Sequence, residues 1–199
     1  MAKTEKGKNP VLFLDRDGTI NVDIGPLYIS HPEQAKLIPG AGQAIVKARA
    51  EGFRVAIITN QAGVAKGKTP KEALPVVHAH LEKLIADAAG VAEFAFDDVR
   101  VCIHHPDEKC RCRKPETQLL EESIKKLDAD PARSFFVGDK SSDLICAARM
   151  GVRSILVLTG HGMETEAECR DSTEARPMGV VPTLTEAVEL AIRLRDKLA

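Results

Sequence analysis

Val11-Leu12-Phe13-Leu14-Asp15-Arg16-Asp17-Gly18-Thr19-Ile20-Asn21 sets how the rest of the chain is read. Four apolar residues in a row stop at two aspartates one residue apart. A short unbroken apolar run marks a strand covered on both faces, as in a parallel sheet. Side chains at i and i+2 leave a strand in the same direction, so the spacing puts the Asp15 and Asp17 carboxylates side by side. They fall beyond the C-terminal end of the strand, where open α/β sheets bind their ligands. Gly18 lets the chain turn tightly away. Two adjacent charges there do nothing for stability, so the pattern points to chemistry.

The same arrangement recurs downstream. Residues 54–58 read as a second buried strand ending at Thr59-Asn60-Gln61, and 99–103 as a third. Residues 134–137 form a fourth ending at Gly138-Asp139-Lys140, 154–158 a fifth, and Val180-Val181 a short last one. Helices are expected over 41–50, over 141–150 and over 184–197. Another is expected from the capping-box pattern Thr69-Pro70-Lys71-Glu72 to Ala89, with Pro75 an awkward fit, and one from Pro115, where Leu120, Ile124 and Leu127 share a face. Residues 1–9 read as a frayed start, 22–38 as an irregular loop, 62–68 as a basic loop and 163–178 as a charged loop. Strands alternating with helices call for a doubly wound α/β fold, a mostly parallel sheet with helices on both faces.

With 199 residues, 44% hydrophobic and 29% charged, the chain has the size and composition of one globular domain spanning residues 1–199. A net charge of −1 gives no broad attraction to nucleic acid or anionic membrane. No apolar run approaches a bilayer span and the start lacks a signal-peptide core, so a cytoplasmic protein, a monomer without membrane partners, is expected. Of five cysteines, Cys102, Cys110 and Cys112 lie within eleven residues. An odd, clustered set argues for metal over disulfides. With His104 or His105, these thiols can close a tetrahedral Cys₃His zinc site that has no open position for catalysis. Zinc would pin the loop over 102–115 and set Arg113 and Lys114 in place. Cys146 and Cys169 read as reduced core residues, His78 and His80 as solvated. Asp143 reads as a surface residue or one that orients a metal's waters, His161 as a turn residue or a border of the site.

The segments around Asp15, Thr59, Lys114 and Asp139, in that order over residues 11–143, resemble the four motifs of the haloacid dehalogenase superfamily of phosphotransferases. The resemblance implies that Asp15 is the nucleophile, giving an aspartyl-phosphate, and that Asp17 is the general acid/base. It implies that Thr59 and Lys114 hold the phosphoryl group, and that Mg²⁺ is bound by the Asp15 carboxylate, the Asp17 backbone carbonyl and Asp139. The Cys-x-His spacing of relatives favours His104 as the fourth zinc ligand.

Three stretches narrow the resemblance: residues 15–23, residues 59–67 and Cys112-Arg113-Lys114-Pro115. They are similar to the D-glycero-D-manno-heptose 1,7-bisphosphate 7-phosphatases, which act in making heptose precursors of lipopolysaccharide or S-layer glycan. In that family the positions of Asp23, Asn60, Gln61, Arg113 and Lys140 contact the sugar bisphosphate, and a guanidinium suits a second phosphate. The stretch from His104 to Cys110 is shorter than in many heptose enzymes and resembles the loop of histidinol-phosphate phosphatases, which makes histidinol phosphate the alternative substrate. A non-catalytic, zinc-stabilised binding module is the alternative of another class. No interval between motifs has room for a large cap domain, so the zinc loop and the 22–38 loop are expected to shape the pocket.

Overall fold

A computed structural model of the chain describes residues 8–170 and 172–197. The opening apolar run forms β1 (Val11–Leu14), and all four of its residues are buried. Parallel neighbours lie on both sides, β2 (Arg54–Asn60) and β4 (Phe135–Gly138). Outside β2 lies β3 (Asp98–Cys102); outside β4 lie β5 (Arg153–Val157) and then β6 (Gly179–Val181). The sheet thus runs β3-β2-β1-β4-β5-β6, parallel throughout.

Alternation along β1 divides its side chains between two cores. Leu12 and Leu14 pack with Ile45 of α1 (Ala41–Ala50), Ile85 of α2 (Ala73–Ala89) and Val188 of α6 (Leu184–Asp196). Val11 and Phe13 pack on the other face with Leu120 of α3 (Gln118–Leu127) and Cys146 of α4 (Ser141–Arg149). Full burial of each large apolar side chain is worth roughly 1.5–3 kcal/mol, so β1 secures both layers.

The chain moves outward from β1 to β3, then returns to β4 on the opposite side of β1. Connections diverge at that reversal and leave a crevice beyond the strand ends. The register pairs Leu14 with Val137, and the Asp15 N–H donates to the Val137 carbonyl at 3.0 Å. Asp15 and Asp139 therefore emerge next to each other.

Several expectations are corrected. Thr69 does not cap α2; its hydroxyl donates to the Ile29 carbonyl, and the N-cap Glu72 makes no side-chain cap bond. Pro75 fits because it lies in the first turn, where N–H groups have no partner within the helix. The helix expected from Pro115 begins at Gln118. The charged segment after residue 162 is helical over α5 (Gly162–Cys169), where only Gly162, Thr165 and Cys169 are buried, too few to give a visible apolar period. The 22–38 loop carries two short 3₁₀ turns, Gly25–Leu27 and Pro32–Gln34. Of the start expected to fray, residues 1–7 lie outside the described residues, whereas Asn9 bridges Ala129 and its amide donates to the Leu127 carbonyl. His78, expected to be solvated, is buried, whereas Cys146 and Cys169 are free and buried as expected. No helix among the described residues is long and apolar enough to cross a membrane.

Candidate active site

Three carboxylates meet at the crevice floor. Asp15 comes from the end of β1, Asp139 from the end of β4 and Asp143 from α4, with oxygens within 4.8 Å of one another. Of the two readings of Asp143, the helix-surface one is corrected: the side chain is fully buried. Lys114 explains how such a cluster survives. Its ammonium, itself buried, lies 2.8 Å from Asp15 Oδ1 and 2.6 Å from Asp143 Oδ1, and donates to the Ile58 carbonyl at 2.6 Å. Burial works against that charge, but Asp143 and Asp15 outweigh it and hold the Lys114 pKa above its usual range. Burial likewise pushes Asp143 up to about 6 against the pull of Lys114.

Asp139 has only a more distant cation, Lys140 Nζ at 4.0 Å from its Oδ2. Its Oδ2 accepts the His161 N–H at 2.9 Å, while its buried Oδ1 has no hydrogen-bond partner. Burial and the charge of Asp15 push its carboxyl up to about 8, with Lys140 opposing. A Cβ on Gly18 or Gly160 would stand 2.2 or 2.3 Å from Asp139 Oδ2, so both residues, at positive φ, let the backbone close around this carboxylate. Hard oxygen donors with one orphaned oxygen suit a divalent cation of the Mg²⁺ type. Of the expected ligands, the carboxylates of Asp15 and Asp139 are brought together.

The Asp17 side chain lines the same cavity as Asp15 but has its own set of partners. Its Oδ1 accepts from Arg16 Nε at 3.1 Å and Asn21 Nδ2 at 2.8 Å; its Oδ2 accepts from Arg16 Nη2 at 2.8 Å and Gln61 Nε2 at 2.7 Å. Burial raises this carboxyl, but the Arg16 charge and these hydrogen bonds hold it below its ordinary value. Gln61 also donates to the Thr59 hydroxyl at 2.9 Å. Asn60 makes a reciprocal pair with the Lys114 backbone, both bonds 3.1 Å, and so ties β2 to the cysteine-rich loop.

Above the floor opens a cavity of about 360 Å³. Asp15, Asp17, Asp23, Asn60, Gln61, Arg113, Lys114 and Lys140 all line it, as does His161; Thr59 and Asp139 stand behind the wall. Asp23 brings the 22–38 loop over the site, its Oδ2 lying 3.2 Å from Lys140 Nζ and 3.4 Å from His161 Nε2. Burial opposes the Lys140 charge, but Asp139, Asp15 and Asp23 push its pKa up to about 12. Tyr28 fastens the same loop to the basic loop, its hydroxyl accepting from Lys66 Nζ at 2.8 Å. Sequence reasoning gave no role to Arg16 or Tyr28; the only signal for Arg16 was a lone cation between the two aspartates at the strand end.

Beside the cavity, Cys102, His104, Cys110 and Cys112 converge. Their sulfurs lie 3.6, 3.3 and 3.4 Å apart, and His104 Nδ1 is 3.1 Å from Cys112 Sγ and 3.7 Å from Cys102 Sγ. A tetrahedron of thiolates around zinc, at about 2.3 Å per bond, has edges of roughly 3.7 Å, so the four donors are nearly in position. His105 stays outside, its Nδ1 accepting the Asp107 N–H in a 3₁₀ turn. Arg113 and Lys114 follow Cys112 directly, so this cluster sets where both cations stand.

Such a strand-end aspartate, paired with a buried lysine and facing an orphaned second carboxylate, defines a phosphatase of the haloacid dehalogenase-like class. The HAD-hydrolase-like family model matches residues 111–187. D-glycero-D-manno-heptose-1,7-bisphosphate 7-phosphatase of Chlorobaculum tepidum is 41% identical over 79% of this chain and 83% of its own length. D-glycero-beta-D-manno-heptose-1,7-bisphosphate 7-phosphatase of Haemophilus ducreyi is 35% identical over 81% and 90%. The structure of D,D-heptose 1,7-bisphosphate phosphatase from B. bronchiseptica, complexed with magnesium and phosphate, superposes with a TM-score of 0.81 at 29% identity, covering 93% of this chain and 99% of that one. The chain belongs to the D-glycero-D-manno-heptose-1,7-bisphosphate 7-phosphatase family.

Proposed function

We propose that the protein is a Mg²⁺-dependent phosphomonoester hydrolase that removes the 7-phosphate of D-glycero-D-manno-heptose 1,7-bisphosphate. One observation carries this reading: Asp15, at the strand switch point, is held by Lys114 at 2.8 Å and faces a cavity walled by Arg113 and Lys140. The names of the relatives support the substrate, and the magnesium and phosphate in the B. bronchiseptica structure support the ion.

Asp15 attacks phosphorus, the bond from phosphorus to the C7 oxygen breaks, and Asp17 gives that oxygen a proton. Water then attacks the aspartyl-phosphate and passes its proton to Asp17. The bond from phosphorus to the Asp15 oxygen breaks, releasing phosphate and restoring the nucleophile. Lys114, with Thr59 behind Gln61, stabilises the transferring phosphoryl group. The Asp15 and Asp139 carboxylates and the Asp17 backbone carbonyl would hold Mg²⁺, which when bound neutralises phosphoryl charge. Cys102, His104, Cys110 and Cys112 would hold Zn²⁺ and fix the loop that carries Arg113. Asp23, Asn60, Gln61, Arg113 and Lys140 contact the sugar bisphosphate, Arg113 matching the second phosphate with its planar fork.

The test is Mg²⁺-dependent phosphate release from both anomers of heptose 1,7-bisphosphate, fructose 1,6-bisphosphate and histidinol phosphate, with Asp15→Asn alongside. A heptose bisphosphate leading in kcat/KM, and no turnover by Asp15→Asn, is the expected result. Histidinol phosphate in the lead overturns the substrate and favours the reading drawn from the short zinc loop. Absence of turnover on every ester overturns the enzyme reading in favour of a binding module.

A further inference from the structure

Among the described residues, the largest fully buried side chain belongs to Arg16. Shutting a guanidinium away from water is unfavourable unless it is paired and hydrogen-bonded, and apolar residues of similar volume often serve stability as well or better. Arg16 therefore needs an explanation beyond packing. Its Nε and Nη2 fork onto the two oxygens of Asp17 at 3.1 and 2.8 Å, and Nη2 also donates to Gln61 Oε1 at 2.8 Å. Gln61 closes the ring by donating from Nε2 to Asp17 Oδ2 at 2.7 Å. Asn21 supplies the remaining bond, 2.8 Å to Oδ1. Both Asp17 oxygens are thereby oriented, and Arg16 provides two of the four donors. A bidentate guanidinium constrains direction as well as distance, which an ammonium does not.

We propose that Arg16 is a positioning residue for the reaction, acting on the substrate only through Asp17 by aiming its carboxyl at the leaving oxygen. The inference rests on the reading of Asp17 as the general acid. In the first half-reaction the Asp15 oxygen bonds to phosphorus, the ester bond breaks, and the Asp17 proton moves to the departing oxygen. A sugar alkoxide is a poor leaving group and needs that proton, whereas a nitrophenolate leaves without it. Because kcat/KM covers only the steps up to departure of the leaving group, comparing the two esters isolates the aim of Asp17.

The experiment measures kcat/KM of the wild type, Arg16→Met, Arg16→Lys and Asp17→Asn with Mg²⁺, on heptose 1,7-bisphosphate and on p-nitrophenyl phosphate, with thermal melting as a check of the fold. Arg16→Met is expected to lose about 100-fold or more on the sugar ester, the usual span of general acid catalysis, and no more than a few-fold on the aryl ester. Arg16→Lys keeps the buried charge but loses the fork. It is expected to show the same selectivity, and it carries the test should the methionine variant fail to fold. Equal losses on both esters in a normally melting variant overturn the inference, leaving Arg16 a structural residue. Asp17→Asn separates the two claims. If it loses equally on both esters, the acid assignment itself fails; if it is selective and the Arg16 variants are not, only the role of Arg16 fails.

Discussion

Replacing Lys114 by methionine removes one charge from the centre of the site while keeping nearly all of the side-chain volume. Three acceptors lose their partner: Asp15 Oδ1 at 2.8 Å, Asp143 Oδ1 at 2.6 Å and the Ile58 carbonyl at 2.6 Å. Breaking a buried pair by deleting one member destabilises by about 3–5 kcal/mol, because an uncompensated charge stays behind. Here two carboxylates stay behind, with Asp139 beside them. Proton uptake limits the damage: Asp143 stands at about 6 even with the lysine present and rises further without it. A loss of about 4 kcal/mol in chelator at neutral pH is the balance of these effects. For a chain of 199 residues that is a fall in Tm of roughly 8–16 °C. Urea unfolding followed by circular dichroism measures it, and kcat with Mg²⁺ should fall by about 10²–10³ as phosphoryl stabilisation is lost. A change below about 1 kcal/mol would place Lys114 among weak, solvated ion pairs and refute the reasoning.

Two further predictions concern stability and the metal loop. His78 is buried, and burial together with the Arg16 charge lowers its pKa from 6.5 to about 4. The unfolded chain then binds a proton between those values that the folded protein refuses, so stability falls as pH drops through that window, by about 3 kcal/mol in all. His78→Leu should flatten the decline, which urea titrations at several pH values will show; an unchanged slope would assign it to other groups. Cys112→Ser should abolish stoichiometric zinc in elemental analysis and lower turnover of the sugar ester, because Arg113 and Lys114 follow directly in the chain. Unaltered zinc content would rule out the four-donor site.

The fold was legible because its signals are local. Apolar runs of four or five residues ending at polar strand tips required buried parallel strands, and every strand read from the chain is present within a residue or two of its expected bounds. The convergence of Cys102, Cys110 and Cys112 was readable from spacing, since they lie within eleven residues. His104 and His105 could be told apart only by the resemblance, and the structure places His104 with the three thiols. What the chain could not declare was α5, whose few buried positions leave no period, and the surroundings of His78 and Asp143. A histidine or aspartate on a helix has the same local pattern whether its face meets water or the core.

The sequence by itself determined the succession of strands and of the helices other than α5, the aspartates at the tip of β1 and the cysteine-rich loop, because each depends on neighbours a few residues away. Only the tertiary structure decided which charges share a site. Lys114 lies 99 residues from Asp15 along the chain, and Asp139 and Asp143 come from beyond a sheet reversal. Whether a carboxylate is neutralised, orphaned or clamped depends on distances of 2.6–3.1 Å set by packing between layers. Thus the two-residue period of a strand sends Asp15 and Asp17 into one cavity, but only packing gives Asp15 the ammonium of Lys114 and Asp17 the fork of Arg16.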